Sequence, residues 1–300
     1  MFNLPKKIKI IEVGPRDGLQ SLNKWVPTKD KINMINLLSD AQFPVIEVSS
    51  FAHPDKVPML KDVEKVLENI NRRQGTTYRV LVPNIKGALR AVETKMVDEI
   101  LGLLTISETY LLKNQNMSID DAIESASTIL KLCEKSGVDF IMALGVAFVC
   151  PYEGILPNEK IFSVVNKLHN KGIRRIYLAA STGMENPLII NHVFKFIKDK
   201  WPNIEIGFHV HERFGMATVN MLAALDAGVT FIEGSICGIG GGIVMPKSMG
   251  DIGNLPTEDI VNLLNTLNVK TQLNTELVLQ TARKVSSILN IQCRGYISRY

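Results

Sequence analysis

Short β-branched or apolar runs alternate along this chain with longer stretches of helical period. The runs are Ile8–Val13, Val45–Ser50, Tyr78–Val82, Ile100–Ile106, Phe140–Val146, Arg175–Ala180, Glu205–His211 and Phe231–Cys237. Between them lie amphipathic segments at Thr28–Asp40, Pro58–Asn71, Ile85–Lys95, Ser118–Lys135, Asn158–Asn170, Pro187–Lys200 and Ala217–Ala227. Thr257–Leu267 follows the eighth run, and a further helix, Thr275–Leu289, closes the chain. Ser118, Asn158 and Thr257 stand where helix N-caps belong, and Gly137, Gly172 and Gly228 stand where helices end.

No Pro-, Ser- or Gly-rich linker interrupts the alternation, so residues 1–300 read as one domain. Eight strand–helix units without a break predict a single α/β domain, a (β/α)8 TIM barrel over about residues 6–270 with a C-terminal helical extension over about 271–300. A doubly wound open sheet is the other way to read alternating elements, but it normally stops at about five to seven strands. The glycines of Gly238–Gly242 do not follow a first strand, so they are not a dinucleotide fingerprint.

Composition narrows the class further. A hydrophobic share of 46% with mean hydropathy +0.11 excludes a mostly disordered chain. The balance of 34 Lys+Arg against 30 Asp+Glu is scattered rather than massed, and aromatic residues make up only 6%, which argues against a nucleic-acid partner. No apolar run reaches the roughly 18 residues of a membrane span, and Met1–Lys9 holds no hydrophobic signal core. Cys133, Cys150, Cys237 and Cys293 form no CxxC pair and read as reduced thiols, so a cytoplasmic protein is expected.

In a barrel of this kind, chemistry sits at the carboxyl ends of the strands. His209 and His211 are two apart on the seventh strand, so both point to one face, together with Glu205 and Gly207. That face looks inward, because Ile204, Ile206, Phe208 and Val210 occupy the other. Two imidazoles so placed form a natural pair of metal ligands, although a plain HxH is more often a core or solvated pair. After strand one, Gly14-Pro15-Arg16-Asp17-Gly18-Leu19-Gln20 makes a sharp turn that carries a cation and a carboxylate to the mouth. It reads either as a functional loop or as a surface turn with an incidental ion pair.

Glu47 shares the inward face of strand two with Val45 and Ser49, a costly place for a carboxylate unless a cation such as Arg16 pairs with it. Gly238–Gly242 leads through a long loop to Asn254, which offers a neutral oxygen, and to Thr257, which opens the next helix. Asp17, His209, His211 and Asn254 together would give two nitrogens and two oxygens. That set suits Mg2+ or Mn2+, with Zn2+ as an alternative, and would hold a substrate hydroxyl beside a carbonyl or carboxylate.

The segments Val13–Gln20 (VGPRDGLQ), Ile46–Phe51 (IEVSSF), Pro83–Gly87 (PNIKG), Cys150–Gly154 (CPYEG), His209–His211 and Gly253–Asp259 (GNLPTED) resemble the 3-hydroxy-3-methylglutaryl-CoA lyase family over nearly the whole chain. These are metal-dependent TIM-barrel lyases related to isopropylmalate and homocitrate synthases. The resemblance implies Asp17, His209, His211 and Asn254 as metal ligands. It also implies Arg16 as the enolate-stabilising cation, Glu47 as its supporting carboxylate, and His209 in proton transfer. The implied reaction is a retro-Claisen cleavage of an acyl-CoA, 3-hydroxy-3-methylglutaryl-CoA or a related 3-hydroxyacyl-CoA, to acetyl-CoA and a keto acid. His53, Asn84, Lys86 and Ser181 are the expected substrate-binding residues, with Lys113 and Asn114 as further candidates for CoA. A homo-oligomer, a dimer, is expected.

Two positions depart from the family pattern. Gly242 stands where the lyases keep a catalytic cysteine, and Ala180-Ser181 stands where they keep Asp-Thr. The departures favour altered chemistry or substrate. They also leave room for a Claisen-condensing synthase, or for a metal-retaining binding protein without turnover.

Overall fold

The computed structural model describes residues 2–241, 245–249 and 252–299. Its barrel strands are β1 (Lys9–Glu12), β2 (Val45–Ser50), β3 (Thr77–Val82), β4 (Glu99–Thr105) and β5 (Asp139–Gly145). A small antiparallel hairpin, β6 (Val149–Cys150) with β7 (Gly154–Ile155), intervenes before β8 (Arg175–Ala180), β9 (Glu205–Glu212) and β10 (Phe231–Gly234). The eight barrel strands pair in parallel in chain order, and β10 pairs with both β9 and β1. That double pairing closes the sheet into the expected barrel. A short strand, β11 (Gly253–Asn254), lies antiparallel on the end of β9 and places Asn254 opposite His211.

The helices are α1 (Thr28–Asp40), α2 (Val63–Asn69), α3 (Ile85–Glu93), α4 (Glu108–Gln115), α5 (Ile119–Ser136), α6 (Asn158–Asn170), α7 (Pro187–Lys200), α8 (Ala217–Asp226), α9 (Thr257–Thr266) and α10 (Thr275–Leu289). No described helix is long and apolar enough to cross a membrane. Ser118 caps α5 in a reciprocal box with Asp121, and Gly137 ends it in the left-handed region at φ 66°. Asn158 and Thr257 are not caps, however. Pro157 and Pro256 hold those positions, and the polar residues are the first helical ones. The segment 58–71 divides into a 3-10 turn at Pro58–Leu60 and α2, and the eighth strand ends at Gly234, before a second 3-10 turn, Ile236–Gly238.

Two layers fill the molecule. Outward-facing strand residues such as Phe208, Ile206 and Leu104 pack under the helices, as the period-two reading requires. Inside the barrel, Ile11, Leu101, Ile141, Tyr177 and Phe231 form a smaller apolar plug. Gly207 makes room for it, since a Cβ there would sit 2.0 Å from the Phe231 ring.

An ionic column runs beside this plug. At the amino ends of the strands, Arg175 bridges Glu205 and Glu99, and Arg79 Nε binds Glu99 Oε1 at 2.5 Å. The same guanidinium reaches Glu233 Oε1 at 2.6 Å and lies 4.0 Å from Glu47 Oε2. Arg79 is wholly buried, and this set of partners is what makes its charge tolerable there.

Candidate metal and catalytic site

The turn after β1 is wound tightly. The N–H groups of Arg16, Asp17 and Gly18 converge on the Val13 carbonyl at 3.1, 2.7 and 3.4 Å. Glycine is required at its ends because a Cβ on Gly14 would lie 2.7 Å from Glu12 Oε1, and one on Gly18 would lie 2.5 Å from Ile239. Glu12 anchors the turn from below. Its carboxylate accepts from Gly14 N at 2.7 Å, Ile236 N at 2.9 Å and Thr257 Oγ1 at 2.7 Å, joining the loops after β1 and β10 to the start of α9. Burial outweighs these donors and pushes Glu12 up to about 7.

Asp17, His209 and His211 meet at the carboxyl end of the barrel, all buried. Asp17 Oδ2 lies 3.6 Å from His211 Nε2 and 3.9 Å from His209 Nε2. Asn254 joins them by way of β11, its Nδ2 donating to Asp17 Oδ2 at 2.7 Å and to the Ile239 carbonyl at 3.0 Å. Among the described residues, two buried atoms here have no hydrogen-bond partner, Asn254 Oδ1 and His211 Nδ1. An amide oxygen left unpaired beside a carboxylate and two imidazoles fits a divalent cation.

The electrostatics agree with that donor set. Burial alone would raise the Asp17 carboxyl, but Arg16 and the two histidines hold it well below the usual range. Against burial, the Glu233 bond and the Asp17 charge raise His209. Burial and the neighbouring His209 lower His211, which keeps that imidazole neutral and available as a ligand.

Arg16 is held on two sides. Nη1 binds Asp17 Oδ1 at 2.6 Å, and Nε donates to Glu47 Oε1, the pairing expected from sequence. Gln20 adds a bond to Asp17 Oδ1 at 2.8 Å.

Above these groups opens a cavity of about 530 Å3, lined among others by Arg16, His53, Lys56, Lys113, Ser181 and His209. Ser181 accepts a bond from Val146 N at 2.9 Å and faces this space, whereas Ala180 packs outward against the helix layer. A carboxylate at position 180 would therefore lie behind the site rather than in it. Asn84 also lines the cavity, but its Oδ1 caps α3 by accepting from Gly87 N at 2.9 Å. Lys86, in the first turn of α3, is exposed and lies outside the residues that line the cavity. Gly242 lies outside the described residues.

Several participants were not read from the sequence. Glu233 Oε2 contacts His209 Nδ1 at 3.0 Å, and Tyr177 stacks on the same imidazole with ring centroids 5.9 Å apart. Parity on the eighth strand could have found Glu233, since it shares the inward face with Phe231. The helix α4 was passed over as well. Ser107 caps it, accepting from Tyr110 N at 3.1 Å, and Glu153 of the CPYEG segment accepts from Thr109 N at 2.9 Å. That clamp sets Lys113 and Asn114 at the cavity rim.

Fold and site together define a (β/α)8-barrel protein with an Asp–His–His cluster and a clamped arginine at the carboxyl ends of its strands. The family model HMGL-like matches residues 7–285, and the chain belongs to that family. It is 35% identical over 290 residues to the mitochondrial hydroxymethylglutaryl-CoA lyase of Homo sapiens, covering 97% of this chain and 88% of that protein. Against the hydroxymethylglutaryl-CoA lyase of Bacillus subtilis it is 36% identical over 279 residues, or 93% and 92% of the two chains. A crystal structure of the Bacillus subtilis HMG-CoA lyase superposes with a TM-score of 0.93 at 34% identity, covering 99% of this chain and 98% of that one. An HMG-CoA lyase from Acinetobacter baumannii, in complex with coenzyme A and 3-methylmalate, gives 0.91 at 32% identity over 98% and 95%.

Proposed function

We propose that this protein is a divalent-metal-dependent carbon–carbon lyase that cleaves 3-hydroxy-3-methylglutaryl-CoA, or a closely related 3-hydroxyacyl-CoA, to acetyl-CoA and a keto acid. The observation that carries the reading is the meeting of Asp17 Oδ2 with the two histidine Nε2 atoms, at 3.6 and 3.9 Å, beside a guanidinium already fixed by Glu47. Asp17, His209, His211 and Asn254 would hold the ion, with Mg2+ or Mn2+ the best match and Zn2+ an alternative. When bound, such an ion lowers the pKa of a substrate hydroxyl and orients it.

The chain's own residues supply the rest. Arg16 faces the cavity with its charge fixed in place by Asp17 and Glu47, so it can stabilise the developing enolate without reorganising. Burial opposes its charge, but Glu47 and Asp17 raise its pKa and keep it protonated throughout. With Nδ1 engaged by Glu233, His209 presents one nitrogen, Nε2, to the Asp17 side of the site. Ligation and proton transfer by this residue therefore compete for a single atom. Lys56, Lys113 and His53 at the cavity rim suit the phosphates or carboxylate of an acyl-CoA.

A coupled assay over a panel of 3-hydroxyacyl-CoA thioesters with Mg2+ or Mn2+ tests the reading. Stoichiometric acetyl-CoA and keto acid from at least one thioester is expected. No cleavage of any of them, with binding retained, would reject the lyase reading.

A further inference from the structure

Away from the cavity, the Sγ atoms of Cys237 and Cys293 lie 3.0 Å apart. Both also point at one carbonyl, that of Ala282 in α10, at 3.2 and 3.7 Å. Cys237 is fully buried in the 3-10 turn after β10, in a left-handed conformation at φ 61°. Cys293 belongs to the segment that follows α10 and is only partly buried. Arg294 N donates to the Cys237 carbonyl at 3.0 Å, so backbone as well as sulfur brings the two segments together. Glu258 closes the third side, accepting from Cys237 N at 3.1 Å.

We propose that Cys237 and Cys293 are a modification site, an intrachain dithiol that closes to a reversible disulfide when the protein meets a peroxide. The sulfurs need approach by only about 1 Å to reach bonding distance near 2.05 Å. Their chemical environments divide the work. The Cys237 thiol facing it, with Ser298 and Ser286, pulls the Cys293 thiol down to about 6 against burial, which makes this partly buried cysteine the nucleophile of the pair. The pairing with Cys293 and its burial push Cys237 far up, so it stays a thiol until Cys293 has been oxidised and then acts as the resolving group.

In the first step the Cys293 thiolate attacks one oxygen of hydrogen peroxide. The O–O bond breaks, hydroxide leaves and takes a proton as water, and Cys293 becomes a sulfenic acid. Cys237 sulfur then attacks Cys293 Sγ, the S–O bond breaks, and the Cys237 proton leaves with the hydroxide as a second water. Two thiols are oxidised by two electrons, and one peroxide is reduced to two waters. The other cysteines stand apart from this chemistry: burial pushes Cys133 up to about 12, and Cys150 is buried against Ser107 Oγ at 3.0 Å.

The bond would fasten the C-terminal segment to the turn that leads into Ile239, whose carbonyl accepts from Asn254. To test this, the folded protein is treated with hydrogen peroxide, its remaining thiols are alkylated, and it is digested without reductant for mass spectrometry. The expected result is a cross-linked peptide pair joining Cys237 to Cys293 within one chain, lighter by two hydrogens and released by dithiothreitol. Cys133 and Cys150 should be recovered alkylated. The variant Cys293→Ser, shown to be folded by circular dichroism, should yield no link at Cys237. Alkylation of both cysteines after peroxide, over-oxidation of Cys293 without a link, or a link between two chains would each overturn the proposal.

Discussion

His209 Nδ1 lies 3.0 Å from Glu233 Oε2, and the other oxygen of that carboxylate is bound by Arg79 at 2.6 Å. The imidazole is thus oriented by a carboxylate that is itself fixed from inside the barrel, and its Nε2 is left for the site. Replacing Glu233 by Gln keeps the shape and removes the charge. Mn2+ affinity, read by calorimetry, is expected to fall roughly 10- to 100-fold, while the thermal unfolding midpoint moves much less than in Glu233→Ala. Chelation by EDTA should abolish turnover in the wild type, and Mg2+ or Mn2+ should restore it.

Arg16→Lys is expected to lower kcat by about 100-fold or more, with a smaller change in KM. A lysine carries the charge but cannot fork to Asp17 and Glu47 at once, as the guanidinium does. Steady-state kinetics on the cleaved thioester give the comparison, and a loss confined to KM would contradict the assigned role.

Arg79→Met leaves Glu99 and Glu233 buried without their common partner. Urea unfolding should show a loss of about 3–5 kcal/mol. The double replacement Arg79→Met with Glu233→Gln should recover part of it, because one stranded charge is then gone.

Gly240→Ala should damage the site more than the fold. A Cβ at Gly240 would stand 2.0 Å from Asn254 Nδ2 and 3.1 Å from Asp17 Oδ2. The amide must move aside, so metal affinity is expected to drop at least tenfold (about 1.4 kcal/mol), with far-ultraviolet circular dichroism unchanged.

Glu258 makes stability depend on pH. Burial, reinforced by Cys293 and Asp259, raises its carboxyl from 4.5 to about 8. An acid raised in the folded state contributes stability that is complete below the unfolded value and is lost as pH climbs to the folded one. Stability measured under reducing conditions should therefore decline between about pH 4.5 and 8. In Glu258→Gln, which can still accept from Cys237 N, that decline should flatten.

Much of this architecture is legible in the chain because alternation and periodicity are local signals. The seventh strand is the clearest case: a purely apolar face alternates with Glu205, Gly207, His209 and His211, and the barrel presents those faces as read. The pairing of Arg16 with Glu47 followed from the cost of burying a lone carboxylate. What escaped was set by tertiary contact. Arg79 lies in a run that otherwise reads as apolar strand, and nothing near it in sequence announces that three acidic residues from other strands will surround it. Asn158 and Thr257 carry capping side chains, yet the prolines before them take the cap, and Thr257 spends its hydroxyl on Glu12 instead. The α4 helix is short and weakly amphipathic, and its placement depends on Glu153 arriving from a later hairpin.

The ionic column through the barrel has a further consequence for how the sheet comes together. Glu47, Arg79, Glu99, Arg175 and Glu233 sit on five different strands, each alternating with residues that belong to the oily layer beneath the helices. A strand that docked one residue out of step would thrust its charge into that layer and leave its former partners stranded. The column thus acts as a combination lock on assembly: only one mutual alignment of these strands satisfies every tumbler, and the same alignment delivers His209 and Arg16 to the mouth.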